Sequence, residues 1–222
     1  ELARQLKCTT NLRTMATAAY MYASTNEDYV PRDFDDREDI RKRYFFATRF
    51  GPYIEGGEYD PAIEKQPTGS EQKIYDALKE RGSPALLCPS VRNKPDHVVH
   101  YVVNAVHWDE FEEDGGYGSQ GLTRVSDVPG APAEVGYLFE ANLHNDRLGP
   151  AEFNYYDVFT LGYMPYNGFS TKDSTRVIRA DDARHNGNTT VVFFDGHAEP
   201  MAHTPYNMPI TLFNPLDDDQ LD

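Results

Sequence analysis

The sequence predicts an α+β fold, and three observations carry that reading. A one-sided amphipathic helix opens the chain over residues 2–23. Helical patterns stop near Leu86-Leu87-Cys88-Pro89 and strand patterns follow. Near the end, Val191 to Phe194 forms an apolar run that leads into Asp195-Gly196, a hairpin-turn signal.

In the first helix, Leu2, Leu6, Leu12, Met15, Ala16, Ala19, Tyr20 and Ala23 recur at three- and four-residue steps, while Arg4, Lys7, Asn11, Arg13, Thr14 and Thr17 lie mainly elsewhere. Such a stripe needs a sheet or a partner to cover it. No capping residue precedes Leu2, so the helix reads as continuing upstream, and the chain as beginning inside it. Asn26-Glu27-Asp28 ends the helix and Pro31 blocks its continuation. Residues 31–39 are charged and loop-like. A second helix is expected over Ile40 to Phe50, and Glu55 to Gly69 reads as an irregular surface insertion. Ser70 is the expected N-cap of a helix over 71–81, with Ile74, Ala77 and Leu78 inward and Gly82 as its stop. Strands are expected at Val98 to Val106 and Val135 to Ala141, separated by the acidic, glycine-rich stretch Asp109 to Gly121. Residues 150–180 read mostly as loop, with a short strand near Arg176 to Arg179. A two-residue Asp195-Gly196 turn would pair Phe194 with His197 and Val192 with Glu199. The chain after Pro205 reads as a loosely attached acidic tail.

Composition narrows the function classes. The 222 residues suffice for a substantial core. A formal charge of −15 disfavours nucleic acid and anionic lipid headgroups as partners and suits a calcium-rich exterior as well as simple solubility. No apolar run is long enough to span a membrane. Fifteen Tyr and twelve Phe against one Trp favour strands. Cys8 and Cys88 are the two cysteines, consistent either with one disulfide in an oxidising compartment or with two separate buried thiols.

Candidate sites are few. His185, Asp195 and His197, with Asp181 and Asp182 nearby in sequence, have the chemistry to ligate a transition metal and would make a metal-dependent hydrolase if they converged. Turn chemistry alone also accounts for Asp195-Gly196, and His185 then fixes the approach to the hairpin. Asp109, Glu110, Glu112, Glu113 and Asp114 offer oxygens for Ca2+ without EF-hand spacing; a solvated acidic loop is the competing reading. No cofactor is required by any motif. Cys88, between leucines and proline, reads as an inert thiol, and no nucleophile elbow, phosphate loop or dinucleotide fingerprint occurs, so an enzyme is not expected. Phe153, Tyr155, Tyr156, Phe159, Tyr163, Tyr166 and Phe169 would make a carbohydrate-binding surface if exposed and coplanar, or pack a sheet edge if not.

Arg184-His185, nine intervening residues, then Asp195-Gly196-His197 resembles the C-terminal signature of prepilin-type, pseudopilin-like proteins with an H-X9-DG domain. Cys8-Thr9-Thr10-Asn11-Leu12-Arg13, Tyr22-Ala23, Asn26 to Pro31, Leu87-Cys88-Pro89-Ser90 and Tyr101-Val102-Val103-Asn104 resemble other segments of that family, in its order. The resemblance implies a pilin-like fold, with a long N-terminal helix packed on an antiparallel sheet. Residues 1–30 would be the C-terminal half of that helix, 31–204 the sheet domain with insertions at 31–85 and 143–180, and 205–222 the tail. It further implies an upstream membrane-anchoring helix half, export to the periplasm or cell surface, and a structural role in a type IV pilus-like or type II secretion pseudopilus filament. The partners would be copies of the chain, other pilin-like subunits, the assembly machinery and the inner membrane. A Cys8–Cys88 bridge would then tie the helix to the start of the sheet.

Overall fold

The computed structural model describes residues 1–32, 46–54, 71–111, 117–119, 122–143, 149–150, 156–158, 179–181, 184–202 and 208–213. Helix α1 runs Leu2–Thr25. It ends where Glu27 and Asp28 take left-handed φ values of 55° and 68°, which turn the chain into strand β1, Tyr29–Pro31. Helices α2, Phe46–Phe50, and α3, Glu71–Arg81, follow. At the end of α3 the Gly82 N–H donates to the Leu78 carbonyl. A Cβ on Gly82 would lie 2.2 Å from that carbonyl oxygen, so glycine is what lets the helix close there.

The strands are β2 Tyr101–Asn104, β3 Val106–Phe111, β4 Tyr117–Ser119, β5 Leu122–Arg124, β6 Gly136–Glu140, β7 Asp157–Val158, β8 Asn188–Phe193 and β9 Ala198–Ala202. Five of them form the main sheet in the order β7-β2-β6-β8-β9, antiparallel throughout except for the edge pair β7–β2. β1 pairs with β5, and β3 with β4, as separate two-stranded ribbons. The architecture is mixed α+β, an N-terminal helix packed against antiparallel sheet, consistent with a pilin-like fold.

Burial along β8 and β6 is nearly continuous rather than alternating, which marks strands covered on both faces. On one face α1 packs across β8 and β9, its Thr9 hydroxyl meeting that of Thr190 at 3.4 Å. On the other, Phe139 stacks against Phe213 with ring centroids 4.8 Å apart. Phe213 belongs to a segment expected to hang loosely, yet Met208, Leu212 and Phe213 are buried, and the Phe213 carbonyl accepts from Asn104 Nδ2 (3.1 Å) and Trp108 Nε1 (3.2 Å). The local composition after Pro205 is polar and proline-broken, so its few core anchors are hidden among residues that look like a tail.

Other departures have equally local causes. Leu2 and Leu6, placed in the buried stripe by their spacing, are 70% and 60% exposed, whereas Asn11, placed on the polar face, is buried and donates from Nδ2 to the Leu87 carbonyl at 2.7 Å. Helical spacing marks which side of a helix is apolar but not how far along it the covering elements reach. Strand β1, just past the expected end of the first helix, and β7, in a stretch expected mostly as loop, exist through pairing with distant β5 and β2, which no local pattern announces. Of the helix expected over 40–50, Phe46–Phe50 is helical and the rest lies outside the described residues, as do Ser70, the insertion at 55–69 and residues 176–178.

Arg32, fully buried, holds the junction between β1, β2, β3 and β5. Its guanidinium donates from Nε to the Asn104 carbonyl (2.7 Å), from Nη1 to Thr123 Oγ1 (2.9 Å) and from Nη2 to the Val106 carbonyl (2.6 Å), and it lies 4.0 Å from the Trp108 ring centroid.

Candidate functional site

β6 ends in Glu140, a carboxylate closing an otherwise apolar strand. Its side chain is completely buried, on the same sheet face as Thr190. Oε2 accepts from the Thr190 N–H (3.2 Å) and the Thr189 hydroxyl (3.4 Å); Oε1 lies 2.7 Å from His185 Nε2. His185 is itself 1% exposed and sits in the turn that feeds β8, where its backbone N–H donates to the Asn188 carbonyl. Its other nitrogen, Nδ1, lies 3.1 Å from Glu1 Oε1 and 3.3 Å from Ser90 Oγ, and Ser90 in turn donates to Glu1 Oε1 at 2.6 Å.

Burial opposes a charge on His185, but the hydrogen bond and the charge of Glu140, followed by the bond to Glu1, outweigh it and raise the imidazole pKa above its ordinary 6.5. The hydrogen bonds from Ser90 and His185 hold Glu1 at about 2, below the usual carboxylate range. Both ring nitrogens thus face carboxylates, and the imidazolium is the form this pocket favours.

Against this ion pair lies a disulfide. Cys8 of α1 is bonded to Cys88, with Cα atoms 5.1 Å apart. The Cys88 sulfur is 3.7 Å from Glu140 Oε1 and 3.8 Å from His185 Nε2. Behind it, the Cys88 N–H donates to His100 Nδ1 at 2.9 Å, and burial followed by the Arg184 charge depresses His100 to about 4, so its ring is neutral. Arg184 pairs through Nε with Asp181 at 3.1 Å and donates to the carbonyls of His100 and Ala141. Bridge, ion pair and arginine together bind α1, β6 and the approach to β8 into one knot.

The far end of β8 makes a second attachment. The connection to β9 spans Phe194-Asp195-Gly196, with Gly196 alone of these at positive φ (86°). The Gly196 N–H donates to the Phe193 carbonyl and the Phe193 N–H to the His197 carbonyl. This three-residue turn with a left-handed glycine replaces the two-residue turn expected from Asp-Gly. It also shifts the register, so Val192 faces Ala198 and Val191 faces Glu199. Asp195 accepts from the His197 N–H (3.0 Å) and meets His197 Nδ1 at 2.5 Å. Over the turn lies Tyr20 of α1, whose hydroxyl donates to the Phe194 carbonyl; a Cβ on Gly196 would come within 2.8 Å of its ring. Burial, then the Asp195 charge, pushes the Tyr20 hydroxyl to about 12.

His185 and the Asp195-His197 pair therefore occupy opposite ends of β8, which at ~3.4 Å per residue separates them by about 17 Å. They do not converge, and the hydrolase built on the three residues is discarded; strand pairing places them, and spacing alone conceals the separation. Asp181 is engaged with Arg184, and Asp182 lies outside the described residues. Of the Ca2+ candidates, Asp109 and Glu110 lie in β3 rather than in a loop, and Glu112, Glu113 and Asp114 lie outside the described residues. Tyr156 is buried, its hydroxyl 2.7 Å from His97 Nδ1, which removes it from any sugar platform; Phe153, Tyr155, Phe159, Tyr163, Tyr166 and Phe169 are outside the described residues.

The family described as a protein of unknown function, DUF1559, matches residues 1–159. The chain belongs to this family. The match covers α1, Cys88 and Glu140 and stops short of His185 and the Asp195-Gly196 turn. No curated protein and no solved structure matches the DUF1559 chain. Its site is half legible in the sequence: His185, Asp195, Gly196 and both cysteines stand out, Ser90 enters only through the Leu87-Cys88-Pro89-Ser90 segment, and Glu140, Glu1 and Arg32 are not marked. A single carboxylate inside the apolar run Val135 to Ala141 was the available signal for Glu140, because a buried acid needs a partner.

Proposed function

We propose that this DUF1559 chain is the globular part of a pilin-like subunit, exported to the periplasm or cell surface and assembled through its N-terminal helix into a type IV pilus-like or pseudopilus filament. Its role is structural rather than catalytic. Its partners are copies of itself, related subunits, the assembly machinery and, before assembly, the inner membrane. Family membership supports the reading, and one observation carries it. From Cys8 onward α1 is locked to the sheet by a disulfide, a buried ion pair and a tyrosine-capped turn, while Leu2 and Leu6 in its first turns stand exposed. A helix fixed from Cys8 onward, with two leucines uncovered in its first two turns, suits packing against neighbouring helices. Among the described residues no helix is long and apolar enough to cross a membrane.

The expected result is that Leu2→Glu/Leu6→Glu in the full-length protein in its native cells lowers the amount recovered in sheared surface filaments at least tenfold. Because both positions are exposed, the urea-unfolding free energy of the purified globular chain should stay within about 0.5 kcal/mol. Wild-type recovery of the variant, or absence of the unaltered protein from any filament fraction, would refute the proposal.

A further inference from the structure

We propose that, when its disulfide is reduced, the chain holds one Zn2+ between Cys8, Cys88, Glu140 and His185. The ligand atoms of the four residues lie within 4.8 Å of one another, and all four side chains are buried. A tetrahedral zinc site with bonds of about 2.0–2.3 Å requires ligand separations of roughly 3.3–3.8 Å. Cys88 Sγ already stands 3.7 Å from Glu140 Oε1 and 3.8 Å from His185 Nε2. Breaking the bridge lets the two sulfurs part to a similar distance, and the ion, taking the place of the Nε2 proton, spreads the 2.7 Å contact between Glu140 Oε1 and His185 Nε2 by about 0.6 Å.

The surroundings match those of a metal centre. His185 directs Nε2 inward while Nδ1 meets the Glu1 carboxylate, the arrangement that fixes a ligating imidazole. Glu140 turns Oε1 inward while Oε2 is held by Thr190 and Thr189. Glu1 and Ser90, at the rim, give the ion a route past partly exposed side chains. Two thiolates, one imidazole and one carboxylate form a closed four-coordinate set of the sulfur, nitrogen and oxygen donors that zinc takes.

The exchange balances with a thiol as reductant. The protein disulfide, two small thiols and Zn2+ yield the zinc dithiolate and one small-molecule disulfide, with release of two protons. A third proton leaves His185 Nε2 as the metal takes its place. An oxidising disulfide drives the reverse, expelling zinc and restoring the bridge. The same four residues thus tie α1 to the sheet in either redox state.

The test uses the purified chain, stripped of metal, in two forms: air-oxidised, and reduced anaerobically with a phosphine. Each is incubated with ZnCl2 and desalted. The reduced form should retain one zinc per chain and gain thermal stability, and the oxidised form should retain none. Co2+ in place of zinc should give the thiolate charge-transfer and tetrahedral ligand-field absorption of a two-sulfur site. Glu1→Gln, which replaces the carboxylate that His185 Nδ1 meets and leaves the four ligand residues in place, should weaken zinc binding about 10–100-fold. Reduced protein that retains no zinc, or Co2+ spectra without tetrahedral features, would overturn the proposal, as would equal retention by a Glu140→Gln/His185→Gln variant. None of these outcomes bears on filament assembly.

Discussion

Replacing Cys8 and Cys88 together by alanine will lower the unfolding free energy by about 2–5 kcal/mol, the range for removing a native bridge that closes a long loop. The bridge spans 80 positions and joins α1 to the segment just before the sheet, so its loss enlarges the unfolded ensemble and releases the helix at once. Urea unfolding in the absence of added metal measures this, and intact mass of the wild-type chain purified without reductant should show no free thiol. A loss below 1 kcal/mol would mean that the bridge contributes little beyond the packing of α1. Because net stabilities are commonly 5–15 kcal/mol, the expected loss is a large share of the whole.

Breaking the buried ion pair should be comparably severe. Glu140→Gln leaves the buried His185 ring facing a neutral amide at Nε2, and removal of one member of such a pair costs about 3–5 kcal/mol. The pH dependence has a definite sign. Because the folded protein raises the His185 pKa above 6.5, the pair contributes in full below 6.5 and its contribution is lost as pH rises through the folded value. His100 works in the opposite direction. Depressed to about 4, it supplies stability above 6.5 that is lost as pH falls toward 4. Stability of the wild-type chain should therefore fall on both sides of the ordinary imidazole range. Urea unfolding across pH should show the alkaline fall vanish in Glu140→Gln while the acid fall persists; an unchanged alkaline limb would exclude the pair as its source.

How much of this was legible in the sequence depends on distance along the chain. The helix at 2–23, the strands around 101–104 and 136–140 and the final hairpin follow from periodicity and turn residues, which are local. The register of that hairpin does not. Asp-Gly suits both a two-residue turn and a three-residue turn with a left-handed glycine, and Tyr20, 174 positions away, packs against the second. The same holds for Glu140 and Arg32. Charged residues are normally exposed, so Arg32 carries no local signal for burial and Glu140 only its place in an apolar run, and each is stabilised by groups from remote segments. Leu2 and Leu6 show the converse, where helical spacing is satisfied but both side chains stand exposed.

Taken with this geometry, the His185 to Gly196 segment is a two-ended clamp, the histidine fastening α1 through Glu140 and the disulfide, the glycine through Tyr20. Native-state hydrogen exchange on Gly196→Ala tests that claim most directly. The added methyl is incompatible with the close approach of Tyr20 and with a φ of 86°, a strain of about 1–3 kcal/mol. If the turn fastens the helix, amides in the C-terminal half of α1, around residues 16–23, will exchange markedly faster, while those of β2 and β6 keep their protection. Faster exchange confined to β8 and β9, with α1 as protected as in the wild-type chain, would show that the turn serves the hairpin alone and would contradict the account.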